Sequence, residues 1–170
     1  MNYACYKAPK ITKLSDFGNN YEEYEKAIYN LFTKDFINNK IYFNGKKVVH
    51  KRHPERKGMS GTFWHIVSNK SDDENRLPNL RRYETIEYPA FIIQNCPNNC
   101  SNVLIWKNTR KSKTRVLLYC STLNYLVVLD DRDDYYVFWT SYPVDRNHTH
   151  EKLMKEYHAY IARTANQLND

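Results

Sequence analysis

The residue types that can move protons or hold phosphate fall in ordered clusters: His50-Lys51-Arg52-His53, Thr62-Phe63-Trp64-His65 and Arg81-Arg82-Tyr83-Glu84. A fourth, Thr140-Ser141-Tyr142, ends a strand-like run in which Tyr136, Phe138, Thr140 and Tyr142 share a face by the period of two. Such a set suits RNA cleavage without a metal. One group takes the proton from the 2′-hydroxyl, another protonates the 5′-oxygen, and cations or hydroxyl donors stabilise the charged phosphorane between them. No cofactor is needed, and no second ligand pair accompanies Cys96-Pro97-Asn98-Asn99-Cys100 at zinc-finger spacing.

Each residue also has a structural explanation. His50 and His53 lie among basic residues, where an imidazole can simply be exposed. His65, read on a strand with Phe63 on its own face and Trp64 on the other, can be a satisfied histidine beside aromatic surface. Arg81 and Arg82 can pair with Glu84 or Glu87, and Thr140 and Tyr142 are good strand formers. The same basic and aromatic residues also fit a silent RNA-binding module, or a domain that binds a protein through a polarised surface.

Charge narrows the partner class. The chain carries 26 Lys and Arg against 19 Asp and Glu, a net charge of +7, which favours a polyanion. Residues 40–57 hold Lys40, Lys46, Lys47, Lys51, Arg52, Arg56 and Lys57 against Glu55 alone. Residues 107–115, read as a loop, add Lys107, Arg110, Lys111, Lys113 and Arg115 with no acid, whereas residues 130–134 are acidic apart from Arg132. The surface is therefore expected to be electrically polarised.

The remaining composition excludes other classes. With 41% hydrophobic and 26% charged residues the chain is not intrinsically disordered, and no apolar run approaches the roughly 20 residues that span a bilayer. Neither GxGxxG nor GxxxxGK[ST] occurs, which argues against a glycine-loop nucleotide site. The polar start lacks an apolar signal region, and the chain is expected in a reducing cytoplasm with thiols unlinked.

The elements that must position these residues follow from periodicity within a single domain, 1–170. Residues 1–18 read as an irregular arm. Over 20–38, Tyr21, Tyr24, Ile28, Leu31 and Phe32 recur at helical spacing. Asn44-Gly45 between Ile41-Tyr42-Phe43 and Lys47-Val48-Val49 signals a hairpin. Residues 62–67, 90–93 and 103–106 read as strands, 79–88 as either helix or strand, and the polar insert 68–75 as a loop. The runs 115–120, 125–129 and 135–140, joined by short turns, form an antiparallel meander, and Thr149–Leu168 a closing helix. The expected class is α+β, an antiparallel sheet of about four to six strands bracketed by helices, with a β-rich core over 41–144.

The order of the clusters resembles a known family. His53-Pro54, then Phe63-Trp64-His65-Ile66-Val67-Ser68, Leu80-Arg81-Arg82-Tyr83-Glu84-Thr85-Ile86, Trp106, Leu126-Val127-Val128-Leu129 and Tyr135-Tyr136-Val137-Phe138-Trp139-Thr140-Ser141-Tyr142 look like the phage-associated nucleases of the BECR superfamily. That superfamily joins barnase, EndoU, colicin tRNases and RelE. The resemblance covers about residues 45–144 and leaves both terminal helices outside. It implies a metal-independent ribonuclease; the expectation is a toxin-like endoribonuclease, with tRNA among its expected substrates, whose products end in 2′,3′-cyclic phosphate because the 2′-oxygen attacks. The expected partner besides RNA is an acidic antitoxin or immunity protein. On this sequence the resemblance makes His53 and His65 the acid/base pair, Arg82 and Glu84 phosphate and acid/base elements, and Thr140 and Tyr142 contacts to the scissile phosphate. Lys51, Arg52 and Arg81 would add phosphate-binding charge, and Lys107, Arg110, Lys111, Lys113 and Arg115 would grip RNA away from the cut.

Overall fold

The computed structural model describes residues 7–69, 78–95, 101–110 and 112–167. Its elements are α1 (Tyr21–Phe32), β1 (Ile41–Phe43), β2 (Lys46–Val49), α2 (Gly61–Val67), α3 (Leu80–Glu84), α4 (Tyr88–Asn95), β3 (Val103–Arg110), β4 (Lys113–Cys120), β5 (Tyr125–Asp131), β6 (Tyr135–Pro143) and α5 (Asn147–Gln167). A 3-10 turn at Leu14–Phe17 sits inside the expected arm, and a π-helical turn at Thr33–Asn38 prolongs α1. The class is α+β. Among the described residues no helix is long and apolar enough to cross a membrane.

The six strands lie in the order β1-β2-β6-β5-β4-β3. Neighbours are antiparallel except β2 and β6, which run parallel with Val48 beside Tyr136, so the sheet is mixed rather than purely antiparallel. The reason is topological: β2 leaves the hairpin and reaches β6 only after the helices and the whole meander have intervened, a long crossover of the kind parallel pairing needs. The Asn44-Gly45 turn forms as expected, with both residues at positive φ, 48° and 76°, the geometry of a two-residue hairpin.

Two expected strands are helices. Residues 62–67 lie in α2 and 90–93 in α4, while the ambiguous stretch 79–88 divides into α3 and the start of α4. A short apolar run has no period that separates a buried strand from a buried helix, and here tertiary anchoring decides. The expected basic loop 107–115 is largely hairpin, because β3 and β4 pair until Arg110 meets Lys113. The 68–75 insert beyond Asn69, together with Lys111, Cys5, Cys96 and Cys100, lies outside the described residues.

One sheet face packs against α1 to α4. Tyr24, Ile28 and Phe32 of α1, Phe63 and Val67 of α2, and Ile92 of α4 meet Val116, Leu118, Val127, Leu129, Tyr136 and Phe138. Burying each such side chain contributes about 1.5–3 kcal/mol. The other face is covered only in part: Leu153 of α5, with Met154, Tyr157 and Tyr160, covers Trp106, Leu117, Tyr119, Leu126 and Val128. Within the first core Glu25 is buried but satisfied. It takes hydrogen bonds from the Tyr83 and Tyr21 hydroxyls at 3.1 and 3.2 Å, and Lys57 Nζ lies 3.0 Å away. This ion pair ties the turn after His53 to α1.

Candidate functional site

The site begins where β2 ends. The first turn of α2 is strapped to the chain leaving β2: Lys51 N donates to Thr62 Oγ1 at 2.7 Å, and Ser60 Oγ donates to the Lys51 carbonyl at 2.9 Å. Gly61 N and Thr62 N donate to the carbonyls of Arg52 and Lys51 at 2.8 and 3.0 Å. Gly61 is required by this approach, since a Cβ there would lie 2.8 Å from the Pro54 carbonyl oxygen and 2.9 Å from His53 backbone atoms. The strap places His53 and His65 on one cavity of about 520 Å³, lined also by Lys51, Arg56, Trp64 and Trp139. His53 is exposed at its mouth, whereas His65 is half-buried.

The floor is set by an irregularity in β6. Val128 pairs with Thr140 but Leu129 pairs with Phe138, so Trp139 is an extra residue in a bulge. Beyond it the face reverses. Tyr136 and Phe138 enter the core under α1 to α4, while Thr140 and Tyr142, opposite Val128 and Leu126, lie on the α5 side. The single face expected for Tyr136, Phe138, Thr140 and Tyr142 is thereby split, and Trp139 joins the second pair.

Trp139 is the hub of the charges. Its ring lies 5.8 Å from the His65 ring between centroids, with Lys51 Nζ 4.6 Å and the Arg115 guanidinium carbon 4.5 Å from its centre. Both separations lie within cation–π range. Further along β6 the Arg82 guanidinium lies 5.5 Å from the Tyr142 ring centre, held by a 3.2 Å hydrogen bond from Nη1 to the Ile66 carbonyl. Burial pushes the Tyr142 phenol up, against the opposing pull of Arg82, so its hydroxyl keeps its proton and serves as a donor. Two groups that can meet an anion result: Lys51 and Arg115 on the Trp139 ring beside the His65 imidazole, and Arg82 with the Tyr142 phenol further along β6. The cavity lining takes in Lys51, His65 and Trp139, while Arg82, Arg115, Thr140 and Tyr142 stand outside it.

The other expected site residues are dispersed. Glu84 stands two residues from Arg82, about 200° around α3. It pairs with Arg81 at 3.3 Å, and after burial its charge is the next influence that raises the Tyr24 phenol, which places it towards α1. Arg81 also meets Asp145 at 3.7 Å and lines a different cavity with Tyr125 and His150. Arg52 is exposed and paired with Glu55, and Lys107 and Lys113 are exposed on the β3–β4 hairpin. Lys111 and the side chain of Arg110 lie outside the described residues. Arg115, expected to grip RNA far from the cut, instead joins the Trp139 cluster.

Trp139 itself was missed by sequence reasoning, because strict alternation puts it opposite Thr140 and Tyr142 and no local signal announces the bulge. Asp130, expected in an acidic turn at 130–134, lies instead within β5. It is buried opposite Arg115, with Arg132 Nη2 2.7 Å from one carboxylate oxygen. Set beside known proteins, the chain matches no family model, no curated protein and no solved structure.

Proposed function

We propose that this protein is an endoribonuclease that cuts RNA without a metal, leaving 2′,3′-cyclic phosphate ends. The observation that carries the reading is the Trp139 cluster: His65, Lys51 and Arg115 lie on one ring, and His65, Lys51 and the ring share a cavity with His53. In the reaction the substrate's 2′-oxygen attacks phosphorus, and one of His53 and His65 accepts its proton. The bond from phosphorus to the 5′-oxygen breaks, and the other histidine supplies the proton that oxygen takes up. Lys51 and Arg115 offset the phosphorane charge, and Arg82 with Thr140 and Tyr142 contacts the non-bridging oxygens. Glu84 has no place in this set. RNA, including tRNA, is the proposed substrate class, and an acidic neutralising protein the proposed partner of the basic surface.

The test is incubation of purified protein with total RNA in EDTA, with analysis of the fragment ends. Discrete fragments ending in cyclic phosphate are expected, and His65→Ala should lower the rate at least about 100-fold while RNA binding persists. Ordinary 3′-hydroxyl ends, or cleavage abolished by chelation, would overturn the mechanism. Binding without any cleavage would reassign the site to RNA recognition alone.

A further inference from the structure

The sheet face that carries Trp139 continues beyond the area α5 covers, onto β1, β2 and the start of β6. There Tyr42, Lys47 and Tyr135 stand in one row across three strands, because Tyr42 pairs with Lys47 and Lys47 with Tyr135. Tyr42 is 52% exposed and Tyr135 42% exposed. Neither serves the core: their neighbours Ile41, Phe43 and Tyr136 point the other way and are buried with Val48. The next row on the same face is Val49 beside Val137, after which come Lys51 and the Trp139 cavity. Two exposed aromatic rings thus flank an exposed lysine on a path that runs to the Trp139 cations, an arrangement suited to an interaction surface.

We propose that this strip is a stacking platform for unpaired RNA bases, so that the substrate is single-stranded for several nucleotides to one side of the bond cut. The inference rests on the nuclease reading of the cavity and adds the substrate's form. Neighbouring strands lie roughly 4.8 Å apart, which separates Tyr42 from Tyr135 by about 10 Å, and Tyr135 stands about 13 Å along β6 from Trp139. A flexible single strand can splay its bases over those distances, while duplex bases are already stacked on one another. Stacking on tyrosine needs no particular base, and Lys47 between the rings meets the connecting phosphate.

Charge at this strip sets the path of the bound strand. Two carboxylates at the end of β5 are already held, Asp131 by Lys46 at 3.3 Å and Asp130 by Arg132 at 2.7 Å. Asp133 and Asp134 are exposed beside Tyr135 and repel phosphate, which directs the backbone along Lys47, Lys51 and Arg115.

The test uses the full chain and a fluorescein-labelled RNA of about twelve nucleotides, 2′-O-methylated throughout so that it cannot be cut, with binding read by anisotropy. Tyr42→Ala and Tyr135→Ala are each expected to weaken binding about 5-fold or more, and the pair about 25-fold, since distant sites add. Tyr42→Phe and Tyr135→Phe should bind as wild type. The same strand annealed to its complement should bind less tightly and be indifferent to all four changes. Double-alanine protein that binds the single strand as wild type does would overturn the platform and leave the tyrosines as a protein-contact surface. Cleavage of unmodified RNA, measured in parallel, separates the two readings. Lost binding without wild-type cleavage sinks the nuclease and keeps the platform, and unchanged binding with cleavage does the reverse.

Discussion

On the proposed function, environment divides His65 and His50 between chemistry and structure. His65 meets Trp139 at the cavity, beside the cations that would hold a phosphate. His50 stands edge-on to Phe32, 6.0 Å away, and is half-buried. Burial pushes its imidazole below the ordinary value near 6.5, Lys47 adds to the effect, and a hydrogen bond to the Phe36 backbone only partly opposes it. The folded state therefore keeps His50 neutral at pH values where the unfolded chain has begun to protonate it. Below about pH 6.5 the unfolded state binds more protons, so stability present at higher pH is lost as pH falls towards the depressed folded value. Urea midpoints measured at pH 7.5 and 5.5 should fall across that interval in the wild type and fall less in His50→Gln. Equal falls in both proteins would assign the pH dependence elsewhere.

At the scale of elements, α2 decides whether the two candidate acid/base residues can cooperate. A seven-residue helix is too short to be stable alone, and this one is held by four hydrogen bonds to Lys51 and Arg52 and by its buried face. Gly61→Ala is the sharpest probe, because the added methyl would meet backbone rather than a yielding side chain. The overpacking should cost roughly 1–3 kcal/mol in chemical unfolding and displace His53 from His65. Cleavage should fall with it, whereas Gly45→Ala, at a turn far from the cavity, should cost stability through its positive φ of 76° and spare cleavage at saturating RNA. Unchanged stability and activity in Gly61→Ala would show that the strap yields freely.

The same element marks the limit of what the sequence discloses. The amphipathic face of α1, the Asn44-Gly45 hairpin, the meander and the closing helix were legible because each is a local pattern of period or turn. α2 was not, since Thr62-Phe63-Trp64-His65-Ile66-Val67 has strand composition and is held as a helix by contacts to Lys51 and Arg52, well before it in the chain. The parallel pairing of β2 with β6 joins residues almost ninety positions apart, and nothing near either strand encodes it. For the site, the histidines, Arg82, Thr140 and Tyr142 were visible as residue types. The hub was not, because the bulge at Trp139 reverses the face that alternation predicts.

Across the whole molecule, α5 determines how much of the second sheet face is open. It seals the β3–β4–β5 half through Leu153, which is 5% exposed, through Tyr157 against Trp106, and through polar ties from Tyr119 to His150 at 2.9 Å and from Asn108 to Glu156 at 3.1 Å. The outer strip over β1, β2 and the start of β6, and the Trp139 cavity, remain open, which is where the exposed tyrosines and the Lys51–Arg115 pair lie. Because the first core lies on the far side of the sheet, loosening α5 should damage one layer before the other. Leu153→Asp removes a buried side chain and places a charge in its stead, at an expected cost of about 3 kcal/mol or more. For a chain of this size that is roughly 6–12 °C in Tm. Dye binding to exposed apolar surface should rise, while near-ultraviolet signals from the packed aromatics of the first core persist below the transition. Ile161→Asp, on the same helix but 45% exposed, should leave Tm within about 1 °C. If the two substitutions prove equally mild, α5 does not seal the sheet, and the division of that face into a covered half and an open half is wrong.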